Sequence, residues 1–255
     1  DNNNSNNNNS NNNDNHSNNN GKKSDKSDHS NNTKEAAKKT KKKAKKKLNL
    51  KSLTKPGDDE RKWPQRLAVL DLNGLLVCRS KRSVAGMHPN FHDPLGFYVY
   101  DRPHCREFLR WLRSRGFTIA FWTSARQEVA DALAKHICTG QLSPDQDLLF
   151  VWSQTHCTRL RSNGSSRSPQ FLKPLAKVWA DERFGALFGP ESTVIVDNSL
   201  EKVDSTLENA IIGSSFDLTI HASEPTPDAE LCQNGALWAY FDRLSRAEGD
   251  VREFL

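Results

Sequence analysis

The chain has 255 residues, 35% hydrophobic and 27% charged, with 37 Lys and Arg against 31 Asp and Glu for a formal net charge of +6. That length allows one or two domains, and no apolar stretch reaches the roughly 18–20 residues that a membrane span needs. Five cysteines, odd in number and without CxxC spacing, argue against a disulfide framework or a zinc site and favour reduced thiols inside the cell.

Charge and composition divide the chain. Residues 1–62 hold 16 Lys and Arg against 8 Asp and Glu, and the remainder holds 21 against 23, so the basic character belongs to the first part. Residues 1–20 are mostly Asn with Ser, and 21–62 are rich in Lys, Ser and Asp. Such segments bury too little apolar surface to offset chain entropy, so residues 1–62 read as a disordered tail with a low-complexity Asn spacer. The run KEAAKKTKKKAKKKLNLKSLTK (34–55) reads as a nuclear localisation signal for the import machinery, a nucleic-acid contact, or a solvated basic arm. A nuclear location is favoured, with the cytoplasm as the alternative. The first residue is Asp1 and not Met, which fits a fragment lacking any N-terminal targeting signal.

Trp63-Pro64 closes the tail, and residues 63–255 fit one domain of common size. A strand over 66–71 comes first, then a Gly-, His- and Pro-containing segment (79–101) with a short strand at 97–101. Pro103 opens a helix over 104–115, with Gly116 as its C-terminal cap. The apolar run FTIAFW (117–122) is a strand, and Ser124 is placed to cap a helix over 125–138. Further strands fall at 147–152 and 192–197, with an exposed loop over 158–170 and a helix over 174–188. A helical turn over 201–207, short strands at 210–212 and 218–220, and a helix over 228–246 complete the chain. Strands alternating with helices imply an α/β fold with a parallel sheet covered on both faces.

Three of these strands end in polar groups: Asp71, Thr123 and Asp197-Asn198. Open α/β sheets bind ligands at the carboxyl ends of their strands. Lys173 lies shortly before the last of the three, so the four positions converge on one edge. The stretch LAVLDLNGLLV (67–77) is close to the DxDx(T/V) signature of aspartate-nucleophile phosphotransferases, with Asn73 at the second acidic position.

DLNGLLV, RPHCREFLRWL (102–112), FTIAFWTSA (117–125), FLKPLAKVW (171–179), VIVDNS (194–199) and the closing LCQNGALWAYFDRLSRAEGDVREFL (231–255) together resemble the NLI-interacting-factor family. This is the small CTD phosphatase and Dullard-like branch of the haloacid dehalogenase superfamily. The resemblance implies a Rossmann-like parallel sheet of the haloacid dehalogenase type, with little or no cap domain. It implies a Mg²⁺-dependent phosphoserine and phosphothreonine phosphatase, with the RNA polymerase II C-terminal repeats as a possible substrate.

Carried over residue by residue, the resemblance makes Asp71 the nucleophile that forms an aspartyl-phosphate. Thr123, with Ser124 beside it, and Lys173 hold the phosphate; Lys177 fits the family spacing less well than Lys173. Asp71, the Asn73 carbonyl, Asp197 and Asn198 hold Mg²⁺, a hard ion that prefers oxygen ligands. Asn73 departs from the pattern, since an amide neither gives a proton to a leaving alkoxide nor takes one from water. The expectation is a phosphatase weakened by about 10²–10⁴-fold on alkyl phosphates, the usual value of general acid–base help. The alternative is a catalytically impaired relative serving as a peptide-binding or scaffold module. The expected partner is a phosphoprotein or phosphopeptide, the chain itself reads as a monomer, and no membrane contact is expected. Core packing or capping is the expected role of His104, His156, Cys157, Trp122 and Trp152.

Overall fold

A computed structural model describes residues 65–160, 170–203, 206–218 and 228–255. The expected tail (1–62), Trp63-Pro64, most of the loop placed at 158–170 and two residues of the strand placed at 218–220 lie outside the described residues.

The architecture starts from β1 (Arg66–Leu70), whose five residues are all buried. A strand covered on both faces has no polar side, and RLAVL accordingly reads as a continuous apolar run rather than an alternating one. Beside it lie β5 (Phe117–Trp122) and β9 (Thr193–Asp197), equally buried. With the outer strands β6 (Leu148–Trp152) and β10 (Ala210–Ile212) they form a five-stranded sheet of order β10-β9-β1-β5-β6. Every pairing in it is parallel. The fold is a Rossmann-like α/β arrangement.

Successive side chains on a strand point to opposite faces, and the two cores divide accordingly. Ala68, Leu70, Ile119 and Phe121 join one cluster with Phe108, Leu133 and Phe241. Leu67, Val69, Ala120 and Trp122 join the other with Trp152, Val178, Phe184 and Phe188. The first face is covered by α1 (Cys105–Ser114), α2 (Gln127–Cys138) and α5 (Ala236–Arg246). Helix α1 buries Cys105, Phe108, Leu109 and Leu112, a spacing of three, one and three that makes one helical stripe. It ends where expected, with Gly116 at φ 84° and its N–H donating to the Arg113 carbonyl.

Several expected elements are shorter or different. Ser124 does not cap α2; the helix begins after Arg126, and no side chain caps it. The helix expected at 174–188 is a single turn, α4 (Ala176–Trp179), after which the chain folds back through further turns. A Cβ at Gly185 would lie 2.0 Å from the Trp179 carbonyl oxygen, so that reversal needs glycine. The C-terminal helix starts at Ala236 and not at 228. Part of the expected loop at 158–170 is paired instead: β7 (Thr158–Leu160) runs antiparallel to β8 (Gln170–Leu172). Asp147, expected in a strand, belongs to the turn α3 (Pro144–Asp147).

Between β1 and α1 a small antiparallel sheet forms from β2 (Val77–Ser80), β3 (Phe91–His92) and β4 (Tyr98–Asp101), in the order β2-β4-β3. Arg102 pins this insert to the body. Its guanidinium is fully buried, donates to both Asp228 carboxylate oxygens at 2.8 Å, and also donates to Leu75 O, Ser214 O and Ser214 Oγ. Removing one member of a buried pair leaves the other desolvated, at a cost of about 3–5 kcal/mol. Arg102→Met therefore lowers the unfolding free energy by about that amount in urea denaturation, and adding Asp228→Asn restores part of it. Two variants of equal stability would remove this account of Arg102.

Candidate active site

The register of the central strands sets the site. Leu70 pairs with Phe121 on one side and Val196 on the other. The next residues, Asp71 and Asp197, therefore leave the sheet side by side, with Thr123 one residue past the end of β5. The Asp71 N–H donates to Val196 O (2.9 Å) and the Thr123 N–H to Trp152 O (2.9 Å), which fixes both turns. All three side chains are buried, and so is Lys173.

Lys173 Nζ lies 2.8 Å from Asp71 Oδ1 and 2.5 Å from Asp197 Oδ2. It arrives there because its own N–H donates to the Lys202 carbonyl (2.8 Å), which ties the end of β8 to the short turn Leu200–Lys202. Lys202 was not singled out by the sequence. Its Nζ lies 3.2 Å from Asp71 Oδ2, 3.3 Å from Asp197 Oδ1 and 3.5 Å from Asn198 Oδ1. Nothing in Leu200-Glu201-Lys202-Val203 marks that lysine as inward-facing; the tight turn after Asp197 aims it.

Two ammonium groups thus face two carboxylates. Burial alone would raise the Asp71 carboxyl, but Lys173 and Lys202 together hold it below the ordinary carboxylate range. Burial and the neighbouring Asp71 charge push Asp197 the other way, upward. Burial lowers the Lys202 ammonium, but Asp71 and Asp197 outweigh it and keep it above the usual lysine range. Asp71 is therefore the more readily ionised of the two. Its Oδ1 is enclosed and faces the Lys173 ammonium at 2.8 Å.

The other predicted residues are placed as follows. Asn198 turns its Nδ2 to Ser215 Oγ (3.0 Å) and its Oδ1 toward Lys202. Asn73 stands at the rim, where its Oδ1 accepts from the Arg79 N–H (2.9 Å). Gly74 follows at φ 90°, and a Cβ there would lie 2.5 Å from Asn198 Nδ2, so the turn after β1 packs directly on the Asn198 turn. Ser124 is half-buried beside Thr123, and the Thr123 hydroxyl accepts from the Ala125 N–H (3.3 Å). Lys177 is away from the cluster, on the His156 carbonyl (2.8 Å).

The oxygens present suit a hard divalent cation. Asp71 Oδ2, Asp197 Oδ1 and Asn198 Oδ1 converge on one point, and all are oxygen donors of the kind magnesium takes. That point is where Lys202 Nζ lies.

Outside the cluster the bland readings divide. His156 stacks flat on Trp152, with ring centroids 4.7 Å apart, and Trp122 is core. Burial pushes the Cys138 thiol up to about 12, and Cys157 and Cys105 are also raised by burial, so these three stay protonated thiols. His104 does not cap α1 through its side chain; it sits exposed at φ 63°. Phe91 stacks on His136, with ring centroids 4.2 Å apart. A cavity of about 220 Å³ opens beside the site, lined by Asn73, Gly74, Arg79, Asn198, Ser215 and Phe216 among others.

The profile of the NLI interacting factor-like phosphatases matches residues 66–252. A curated FCP1 homology domain-containing protein of Schizosaccharomyces pombe is 26% identical over 174 residues, covering 66% of this chain and 67% of that protein. Among solved structures, that of Fcp1, an essential RNA polymerase II CTD phosphatase, aligns at TM-score 0.41 and 16% identity over 64% of this chain and 44% of that one. Fission yeast Fcp1 bound to beryllium fluoride aligns at TM-score 0.39 and 15% identity over 71% and 50%. The chain spans about half the length of these solved proteins or less.

Proposed function

Because the chain belongs to the NLI interacting factor-like phosphatase family, we propose that it is a Mg²⁺-dependent phosphatase of phosphoserine and phosphothreonine in proteins, working through an aspartyl-phosphate on Asp71 and slowed by Asn73. The observation that carries this reading is the Asp71 carboxylate: buried at a strand end, and held toward its ionised form by the ammonium groups of Lys173 and Lys202.

Asp71 Oδ1 attacks phosphorus, forming the Oδ1–P bond while the ester P–O bond to the serine or threonine oxygen breaks. Lys173 and the Thr123 hydroxyl bind the phosphoryl oxygens and take up the charge that develops on them. Asp71, the Asn73 carbonyl, Asp197 and Asn198 would hold a divalent cation, which would supply further positive charge beside the phosphate dianion. The departing oxygen takes its proton from water, because the Asn73 amide has none to give. Water then attacks phosphorus and frees Asp71. The cavity beside Asn73 receives the residues flanking the phosphate.

Family membership and the basic segment 34–55 together support a nuclear location and make the RNA polymerase II C-terminal repeats the first substrate to assay. No helix among the described residues is long and apolar enough to cross a membrane. One observation favours a second reading, a module that binds phosphopeptides and barely turns them over: Asn73 itself, whose side chain is engaged with Arg79.

The test is turnover of para-nitrophenyl phosphate and of a phosphoserine repeat peptide by the full chain, with Mg²⁺ and with EDTA. The proposal expects slow, Mg²⁺-dependent release of phosphate from both. Tight binding of the peptide with no release at any Mg²⁺ concentration would instead establish the binding module.

A further inference from the structure

We infer that Lys202 is a tethered cation in the divalent-metal position, so that a metal ion enters the site only by displacing it. The inference rests on reading the Asp71 cluster as a metal-assisted phosphatase site. Its basis is geometric. The Lys202 ammonium faces one oxygen from each of Asp71, Asp197 and Asn198, at 3.2, 3.3 and 3.5 Å. These are the side-chain oxygens a hard cation would bridge between two adjacent strand ends.

Charge makes the two occupants exclusive. Two lysines already balance two carboxylates, so a divalent cation added beside both would leave a large positive excess in a buried cluster. One lysine has to leave. Lys173 cannot, since its side chain is wholly enclosed, and its contacts of 2.5–2.8 Å are tight. Lys202 can: its side chain is 25% exposed and its contacts are longer. Its main chain stays fixed by accepting the Lys173 N–H, so only the side chain swings to water. The lysine keeps the carboxylates paired when no metal is present and lowers metal affinity by the fraction of time it occupies the site.

The test measures metal binding directly. Mn²⁺, whose free ion is read by electron paramagnetic resonance, is titrated into the full-length protein, into Lys202→Met and into Lys202→Met with Asp197→Asn. Lys202→Met binds Mn²⁺ tighter than the unchanged chain by about tenfold, the ratio for a competitor in place about nine-tenths of the time. Adding Asp197→Asn abolishes that gain. On the unchanged chain, Mg²⁺ speeds reductive methylation of Lys202, scored by peptide mass spectrometry, and leaves Lys173 unlabelled. This second measurement decides the matter if Lys202→Met does not fold. Equal or weaker Mn²⁺ binding by Lys202→Met, or labelling of Lys202 unmoved or slowed by Mg²⁺, overturns the inference alone. No Mn²⁺ binding by any of the proteins overturns the metal-assisted reading, and the inference with it.

Discussion

Asp71→Asn abolishes phosphate release, lowering kcat by at least about 10⁴-fold, the order lost when a covalent nucleophile is removed. The amide has the same shape as the carboxylate, so the turn after β1 and its contact from the Asp71 N–H to Val196 O are retained. What disappears is the charge that Lys173 and Lys202 hold in place. Acid-quench trapping separates this from a mere loss of binding. The unchanged protein yields a phosphorylated peptide containing Asp71, and the variant yields none while still unfolding cooperatively. A phosphorylated variant would place the nucleophile elsewhere.

The same carboxylate titrates unusually low. A carboxylate attacks only when ionised, and Lys173 and Lys202 hold the folded pKa of Asp71 below the ordinary carboxylate value. A group depressed in this way also stabilises the fold above its unfolded pKa, and that contribution is lost as pH falls through the folded one. In the metal-free protein the Asp71 carboxyl, followed by its ¹³C NMR signal, therefore titrates below the usual carboxylate range. A midpoint at or above an ordinary aspartate pKa would contradict the pairing with Lys173 and Lys202.

The central sheet was legible because burial on both faces leaves a plain signal. β1, β5 and β9 are continuous apolar runs, each ending beside a polar residue, and parallel pairing brings those ends together. Asp71, Lys173, Asp197 and Asn198 lie together at that edge, with Thr123 beside them. The misses have a common cause, which is that contacts distant in sequence override local pattern. The apolar spacing over 174–188 suits a helix, yet the Phe184 and Phe188 side chains reach the second core through turns, with Gly185 at the reversal. Residues 228–235 do not continue into α5, because Asp228 is held by Arg102 and Gly235 lies where a Cβ would sit 2.2 Å from the Ala229 oxygen. β2 and β3 are too short and too mixed to show a period. Lys202 was invisible for a different reason: a lysine in a polar turn looks the same whether it faces water or a carboxylate pair.

Asn73→Asp raises kcat on a phosphoserine peptide by about 10²–10⁴-fold, the usual value of a positioned general acid and base. The replacement is nearly isosteric. One carboxylate oxygen still accepts the Arg79 N–H that Asn73 Oδ1 accepts at 2.9 Å, and the other replaces Nδ2. That second oxygen can donate its proton to the leaving alkoxide and then take one from the attacking water. Leaving-group chemistry makes the prediction specific. An alkoxide leaves poorly without a proton, whereas para-nitrophenolate leaves well alone, so the gain in the first step is small for the aryl substrate. Water attack on the aspartyl-phosphate lacks its base in the unchanged protein with either substrate. With para-nitrophenyl phosphate that protein therefore shows a burst of nitrophenolate followed by a slow steady state, and Asn73→Asp removes the burst by speeding the second step. A gain of the same size on both substrates with no burst would mean that Asn73 affects binding and not proton transfer. No gain on either would leave the amide in place for the binding of phosphopeptides.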